Sequence, residues 1–360
     1  MRHFPFFILI LFSVVISAAC IDSQGGTPSS QPYPSHTQTA NVPSTWSMKL
    51  VWNISTVGIP FMDMAKDGSL SAVIDDHRVH LIKPTGDSVS IDLQGSDAIQ
   101  PVITGVIVKG GNVYVLGNYE AFSGMRIYSW DGKVGEIRVG SFADCIMRSP
   151  DGSHMCHLVT LSPTEQLLTC DGLKTKLEST DYAINAISDT GVVVLRRKLA
   201  GEALVTKNGK KLLTLNTPSV IPHDDKLLVS ENNTLKILAL KGEVLASREK
   251  AGFGLTTLLR WTLIPTKRYI FRYEPFGDTH VFTWNLTEVK VLPGFPYFAN
   301  ENFVVTAKGE TIRCYSLNDF HEVFNVKVPG DSIGYIRLSD DGKVMLVSGE
   351  TGNFWLYAEG

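Results

Sequence analysis

Long apolar runs are scarce in this 360-residue sequence. One extends from Phe4 to Val15, and nothing later approaches the roughly 20 residues needed to cross a hydrocarbon core of about 30 Å. An uncleaved transmembrane anchor is therefore not expected. Charge of one sign is also lacking. A net charge of −3 provides no field to gather nucleic acid or acidic lipid, so no nucleic-acid partner is expected. Stretches of Ala, Glu, Lys and Leu at helical period are missing, whereas 31 Gly and 17 Pro punctuate the chain, which favours many short strands. There is no phosphate loop, no His-Glu-x-x-His pair and no acidic calcium loop. The 44% apolar content suits a sizeable core, and the length allows one large closed all-β domain.

The N-terminus reads as an export signal. Met1 to Ala19 opens on Arg2 and His3, continues through the apolar run, and ends in the small residues Ser17, Ala18 and Ala19 before Cys20. Ile16-Ser17-Ala18-Ala19-Cys20 resembles the lipobox of prokaryotic lipoproteins, which implies lipidation of Cys20 as the mature N-terminus. Ser17 stands where that motif carries a large aliphatic residue. Ser17 and Ala19 also satisfy the small-x-small rule, so ordinary signal-peptidase cleavage after Ala19 is the alternative. The segment from Ile21 to Ser44 is rich in Ser, Thr, Pro, Gln and Gly and cannot bury a core. It is expected to be disordered and, as a flexible coil, to reach roughly 25 to 30 Å. The expected organisation is a signal peptide over 1–19, a lipid-anchored linker over 20–45 and one domain over 46–360.

From Trp46 onward one unit recurs at roughly forty-residue spacing, a propeller-blade period. Its mark is a turn between two strands: Lys66-Asp67-Gly68, Lys109-Gly110-Gly111, Ser149-Pro150-Asp151-Gly152, Ser188-Asp189-Thr190-Gly191, His223-Asp224-Asp225, Pro265-Thr266-Lys267, Asn300-Glu301-Asn302 and Ser339-Asp340-Asp341-Gly342. After each comes a short strand of β-branched or aromatic residues, such as NVYVLGN or GVVVLRR. Eight turns predict an all-β β-propeller of eight four-stranded antiparallel blades, with seven as the fallback. The chain ends after the third strand of its last blade, so Met48 to Ser55 should complete that blade and close the ring. Trp130-Asp131 reproduces the ending of a WD blade, and the whole of 48–360 resembles the WD-repeat and quinoprotein-like propellers. The recurrent Gly-His pair and the tryptophan-docking glycines of those families are incomplete, so no cofactor is implied.

Three of the four cysteines beyond Cys20 fall in one predicted blade. Centring the hairpin on Ser149 to Gly152 pairs Arg148 with Ser153 and sets Cys145 across from Cys156, which predicts a Cys145–Cys156 disulfide in an oxidising compartment. Cys156 with Cys170, or free buried thiols, are the alternatives, and Cys314 is left unpaired. A metal site at His154 and His157 is disfavoured, because those residues point to opposite faces of a strand. Asn53, Asn232 and Asn285 head Asn-x-Ser/Thr acceptors for glycosylation.

Chemistry is hard to find. Gly330-Asp331-Ser332-Ile333-Gly334 has the spacing of a nucleophile elbow, but that device needs a helix after the serine and here a strand follows. Paired acids such as Asp75 and Asp76, or Asp224 and Asp225, sit at strand turns where carboxylates are solvated, and the histidines are scattered. No catalytic residue is assigned. The loops after the second strands are better binding candidates: Tyr119, Glu120 and Phe122 on one, Arg196 and Arg197 on another, Arg272, Tyr273, Glu274 and Phe276 on a third. Tyr297 leads to the same side. Aromatics beside charges on loops suit a binding face. The expectation is a monomeric, membrane-tethered, extracytoplasmic, cell-surface propeller binding or scaffolding a protein, peptide or glycan. Alternatives are an exported hydrolase, lyase or quinone-dependent dehydrogenase acting at the channel mouth, or an envelope assembly factor.

Overall fold

The computed structural model describes residues 46–360 except 57–60, 76–77, 95–98, 141, 198–200, 218, 232–233, 250–262 and 274–276. Cys20, the linker to position 45, Asn232, Glu274 and Phe276 lie outside the described residues. The described residues contain no helix and form eight four-stranded antiparallel sheets. Each recurring turn joins the first and second strands of one sheet, so the sequence repeat and the structural repeat coincide. The fold is a β-propeller of eight blades. Blades 1 to 7 span 61–92, 102–140, 142–177, 182–215, 220–249, 263–292 and 295–327; blade 8 combines 333–359 with 48–55.

Burial explains why short strands suffice. Most inner and second strands are largely covered on both faces and read as apolar runs, such as Val192–Arg197 (VVVLRR), whose first four residues are buried. Outer strands alternate or are exposed, as in Ser88–Asp92 and Val244–Glu249. They carry Lys174, Lys176, Lys210, Lys211 and Lys290 along their free edges, which discourages pairing with another chain. Eight apolar clusters fill the core at the gaps between neighbouring blades, seven of them shared by two blades and the one between blades 5 and 6 reaching Ala186 of blade 4. Stability is therefore distributed around the ring rather than lodged in one centre.

Met48–Ser55 pairs antiparallel with Asn353–Glu359 and supplies the outer strand of blade 8. Trp46 continues this closure: its backbone N–H donates to Val323 O (3.1 Å), and its ring meets Phe303 edge-on at 5.9 Å. Two faces follow from the strand order. The turns between first and second strands and between third and fourth strands lie on one face, here the turn face. The loops after second strands and the connections between blades lie on the other, the loop face. The chain enters the propeller at Trp46 on the turn face.

The cysteine register differs from the expectation. The turn of blade 3 holds six residues, Ser149 to His154: Ser149 N–H donates to His154 O (2.8 Å), and Ser149 Oγ accepts from His154 N–H (3.0 Å). Arg148 consequently faces Met155, and this register runs unbroken to Cys145, a bulge following only between Cys145 and Ala143. Cys145 thus faces Leu158 and stays a free buried thiol, while Cys156 faces Cys170, to which it is disulfide-bonded with Cα atoms 4.1 Å apart. Cys314 is also free and buried, and burial pushes its thiol pKa well up. Alkylation under native conditions should leave Cys145 and Cys314 unmodified, and peptide mapping should recover a Cys156–Cys170 cross-link. With a sequence separation of 14, Cys170→Ser should lower stability in urea by about 3 kcal/mol.

Candidate functional site

The loop face holds the residues singled out in the sequence, but it treats them unequally. Tyr119 is only 6% exposed: its hydroxyl donates to Val115 O (2.9 Å), its ring stacks on Phe122 at 4.9 Å, and the Arg126 guanidinium covers it at 4.0 Å. Glu120 is exposed beside it. Arg197 is held by Asp181, with its Nε 3.1 Å from both carboxylate oxygens, and approaches Glu202 at 3.5 Å. Arg196 is half-buried and Arg272 is buried. Tyr273 packs edge-on against Phe295 at 4.7 Å, Phe295 against Tyr297 at 4.9 Å, and the Tyr297 hydroxyl donates to Ile333 O (2.8 Å). Burial raises the Tyr297 pKa to about 12. Tyr119, Arg272 and Tyr297 therefore build the face from beneath, and an aromatic ladder joins blades 6, 7 and 8.

What this face shows to solvent is aliphatic and aromatic surface in blades 2 and 3. Ile99 is 65% exposed, Val102 60% and Phe142 47%. Val102 and Phe142 occupy the first position of adjacent inner strands, which meet lower down where Gly105 faces the Ile146 side chain. A charge-poor pattern of single hydrophobic residues hid them in the sequence. Asn53 and Asn285 are exposed on the outer strand of blade 8 and in a turn of blade 6.

The turn face carries a charged cluster the sequence did not reveal. Asp63, Arg148 and Arg337 come from inner strands of blades 1, 3 and 8 and meet at the channel axis, each under 10% exposed. Asp63 Oδ1 accepts from Arg148 Nη2 at 3.3 Å and lies 3.5 Å from Arg337 Nε; Asp63 Oδ2 accepts from Val108 N–H at 2.8 Å. Arg148 Nη2 also donates to Met64 O (3.1 Å). A cavity of about 120 Å³ opens above them. The available signal was a charge inside an otherwise apolar inner strand, as in FMDM or IGYIRL.

Neighbouring turns on this face are linked. Asp151 N–H donates to Asp189 Oδ1 at 2.7 Å, and Thr190 Oγ1 donates to Asp224 O at 2.8 Å. Asp189 is 3% exposed. Its burial, and then the adjacent Asp151 carboxyl, raise its pKa to about 8. Burial acts to raise Asp151 too, but hydrogen bonds with Asp189, Ser149 and Ser153 outweigh it and hold Asp151 near 2. Asp331, of the Gly-Asp-Ser-Ile-Gly segment, is structural: its Oδ2 accepts from Thr351 Oγ1 (2.6 Å) and Asn353 Nδ2 (2.9 Å). Ser332 leads directly into the strand Ile333–Leu338.

No family model matches the chain. An uncharacterized protein of Archaeoglobus fulgidus is 51% identical over 318 residues, covering 87% of this chain and 89% of that protein. The chain belongs to that protein's family. Among solved structures, the C-terminal WD40 domain of Sif2 is similar with a TM-score of 0.61 at 12% identity, covering 88% of this chain and 99% of the domain. That likeness establishes a WD-repeat-like propeller fold for this family.

Two outcomes test this geometry. Asp63→Ala leaves two buried guanidiniums without their carboxylate and should cost about 3–5 kcal/mol in urea unfolding. Adding Arg148→Met and Arg337→Met to that variant should restore most of the loss. An unfolded aspartate ionises near pH 4 whereas folded Asp189 keeps its proton to about 8. Stability should therefore decline as pH rises from about 4 to 8, and Asp189→Asn should flatten that slope in thermal melts.

Proposed function

We propose that the protein is a membrane-tethered, extracytoplasmic binding propeller that captures a protein or peptide on its loop face. The observation that carries this reading is the exposed apolar surface of Ile99, Val102 and Phe142 on the face opposite the entry of the chain at Trp46. A folded propeller gains nothing by leaving such side chains in water, and apolar residues beside an aromatic, polar-rimmed face are what interface centres use. The export signal and Cys20 support a tether. A linker leaving the turn face keeps the loop face free of the membrane. The WD-repeat-like fold supports a binding role, since such propellers offer a broad rigid platform.

Two measurements test the two halves of the proposal. Mass spectrometry of the mature N-terminus should find a lipid on Cys20, and an unmodified Cys20 removes the anchor. Photo-crosslinking from probes placed on the loop face should trap a discrete partner in native membranes. Val102→Asp with Phe142→Asp should abolish that adduct without shifting the melting temperature by more than about 2 °C, because both side chains are largely exposed. An adduct undiminished in the double variant would refute the choice of face.

A further inference from the structure

We infer that the cavity at the turn-face mouth of the channel is a binding site for a short monocarboxylate. It lies on the face opposite the proposed partner surface and does not depend on that reading. The buried floor holds two guanidiniums, Arg148 and Arg337, over the single carboxylate of Asp63. At the rim, Lys66 and Asp340 pair with each other at 3.9 Å, and Glu301 Oε1 accepts from Lys267 N–H at 3.3 Å. The floor thus sets two guanidiniums against the Asp63 carboxylate where water is largely excluded, with the carboxylates of Glu301 and Asp340 at the rim.

The two arginines differ in how they are used. Arg148 is committed to Asp63 and to Met64 O. Arg337, 9% exposed and lining the cavity, donates no hydrogen bond among the described residues, and its buried Nε lacks an acceptor although Asp63 lies 3.5 Å away. A guanidinium presents several donors in a planar fork that matches a carboxylate bidentately. The Glu301 and Asp340 carboxylates at the rim oppose a second negative charge on a ligand, so the fork suits a monoanion rather than a phosphate dianion. Ala65, Pro150 and Phe298 in the wall supply apolar contact for a carbon stem next to that anion. The ligand is therefore a carboxylate on a short aliphatic stem, either a free acid or the side chain of a glutamate borne by another protein.

Calorimetric titration of the whole propeller with sodium propionate, and separately with a blocked glutamyl amide, distinguishes the two sources; sodium chloride at equal ionic strength is the control. Binding of propionate alone assigns a free acid, and binding of the glutamyl amide assigns a protein side chain. Arg337→Lys keeps the charge opposite Asp63 but loses the fork, so it should fold as the parent does and bind about tenfold more weakly. Arg337→Gln should bind neither probe, with folding checked by circular dichroism. Absence of binding by both probes, tighter binding of inorganic phosphate, or an unchanged affinity in Arg337→Lys would each overturn the assignment.

Discussion

The antiparallel pairing of Met48–Ser55 with Asn353–Glu359 is the constraint on which the rest of the molecule depends. Without it the last blade would have three strands, and its Asn353–Glu359 strand would expose an unpaired edge. With it the two ends of the chain are held in one sheet, and the eighth inter-blade gap can fill. That gap contains Met62, Val344, Leu346 and Phe354, with Val51, Trp52 and Ile54 from the closing strand packed against them. The apolar clusters of the ring thus form a closed series, each requiring the blade on either side. Closure also fixes where the chain enters, because the first residue of the closing strand must lie beside the end of the strand it pairs with.

Local signals made the architecture legible. A short polar turn followed by an apolar strand recurs eight times, with Asp, Asn or Gly in seven of them, and each occurrence marks the join between the first and second strands of a blade. Gly68 and Gly342 show why: both adopt positive φ, and a side chain there would collide with neighbours at an inter-blade gap, Val344 in one case and Trp46 with Phe303 in the other. Register was less legible. The turn of blade 3 looked like a four-residue loop, yet the Ser149 hydroxyl and the Asp151 carboxylate each capture backbone N–H groups and widen it to six. That shift moves Cys145 away from Cys156, while the separate hairpin between the second and third strands sets Cys170 opposite Cys156.

The candidate sites were legible in proportion to how local they are. The loop bearing Tyr119 and Phe122 was visible as a rich cluster, but the same aromatics that draw notice are the ones the loop uses to pack itself, with Arg126 laid over Tyr119. Val102 and Phe142, unremarked in a strand-rich sequence, are the side chains that reach solvent. The channel cluster was invisible for a different reason: Asp63 and Arg148 are 85 positions apart, and only the ring brings them together.

The two faces divide the work of the fold. On the turn face, neighbouring blades are tied by specific polar contacts: Asp151 to Asp189, Thr190 to Asp224 O, Lys267 to Glu301, Asn302 to Asp340 O and Asp340 to Lys66 O. Most of these use backbone atoms on at least one side, so they fix the turns relative to one another whatever the surrounding side chains. Asp63 adds a link across the axis, joining blades 1, 3 and 8 through two arginines and reaching blade 2 through Val108 N–H. The loop face is joined instead by edge-on aromatics and by ion pairs within single blades, such as Asp181 with Arg197 in blade 4. A frame locked on one face leaves the other free to carry exposed apolar side chains without loosening the ring, which is the arrangement a rigid binding platform requires.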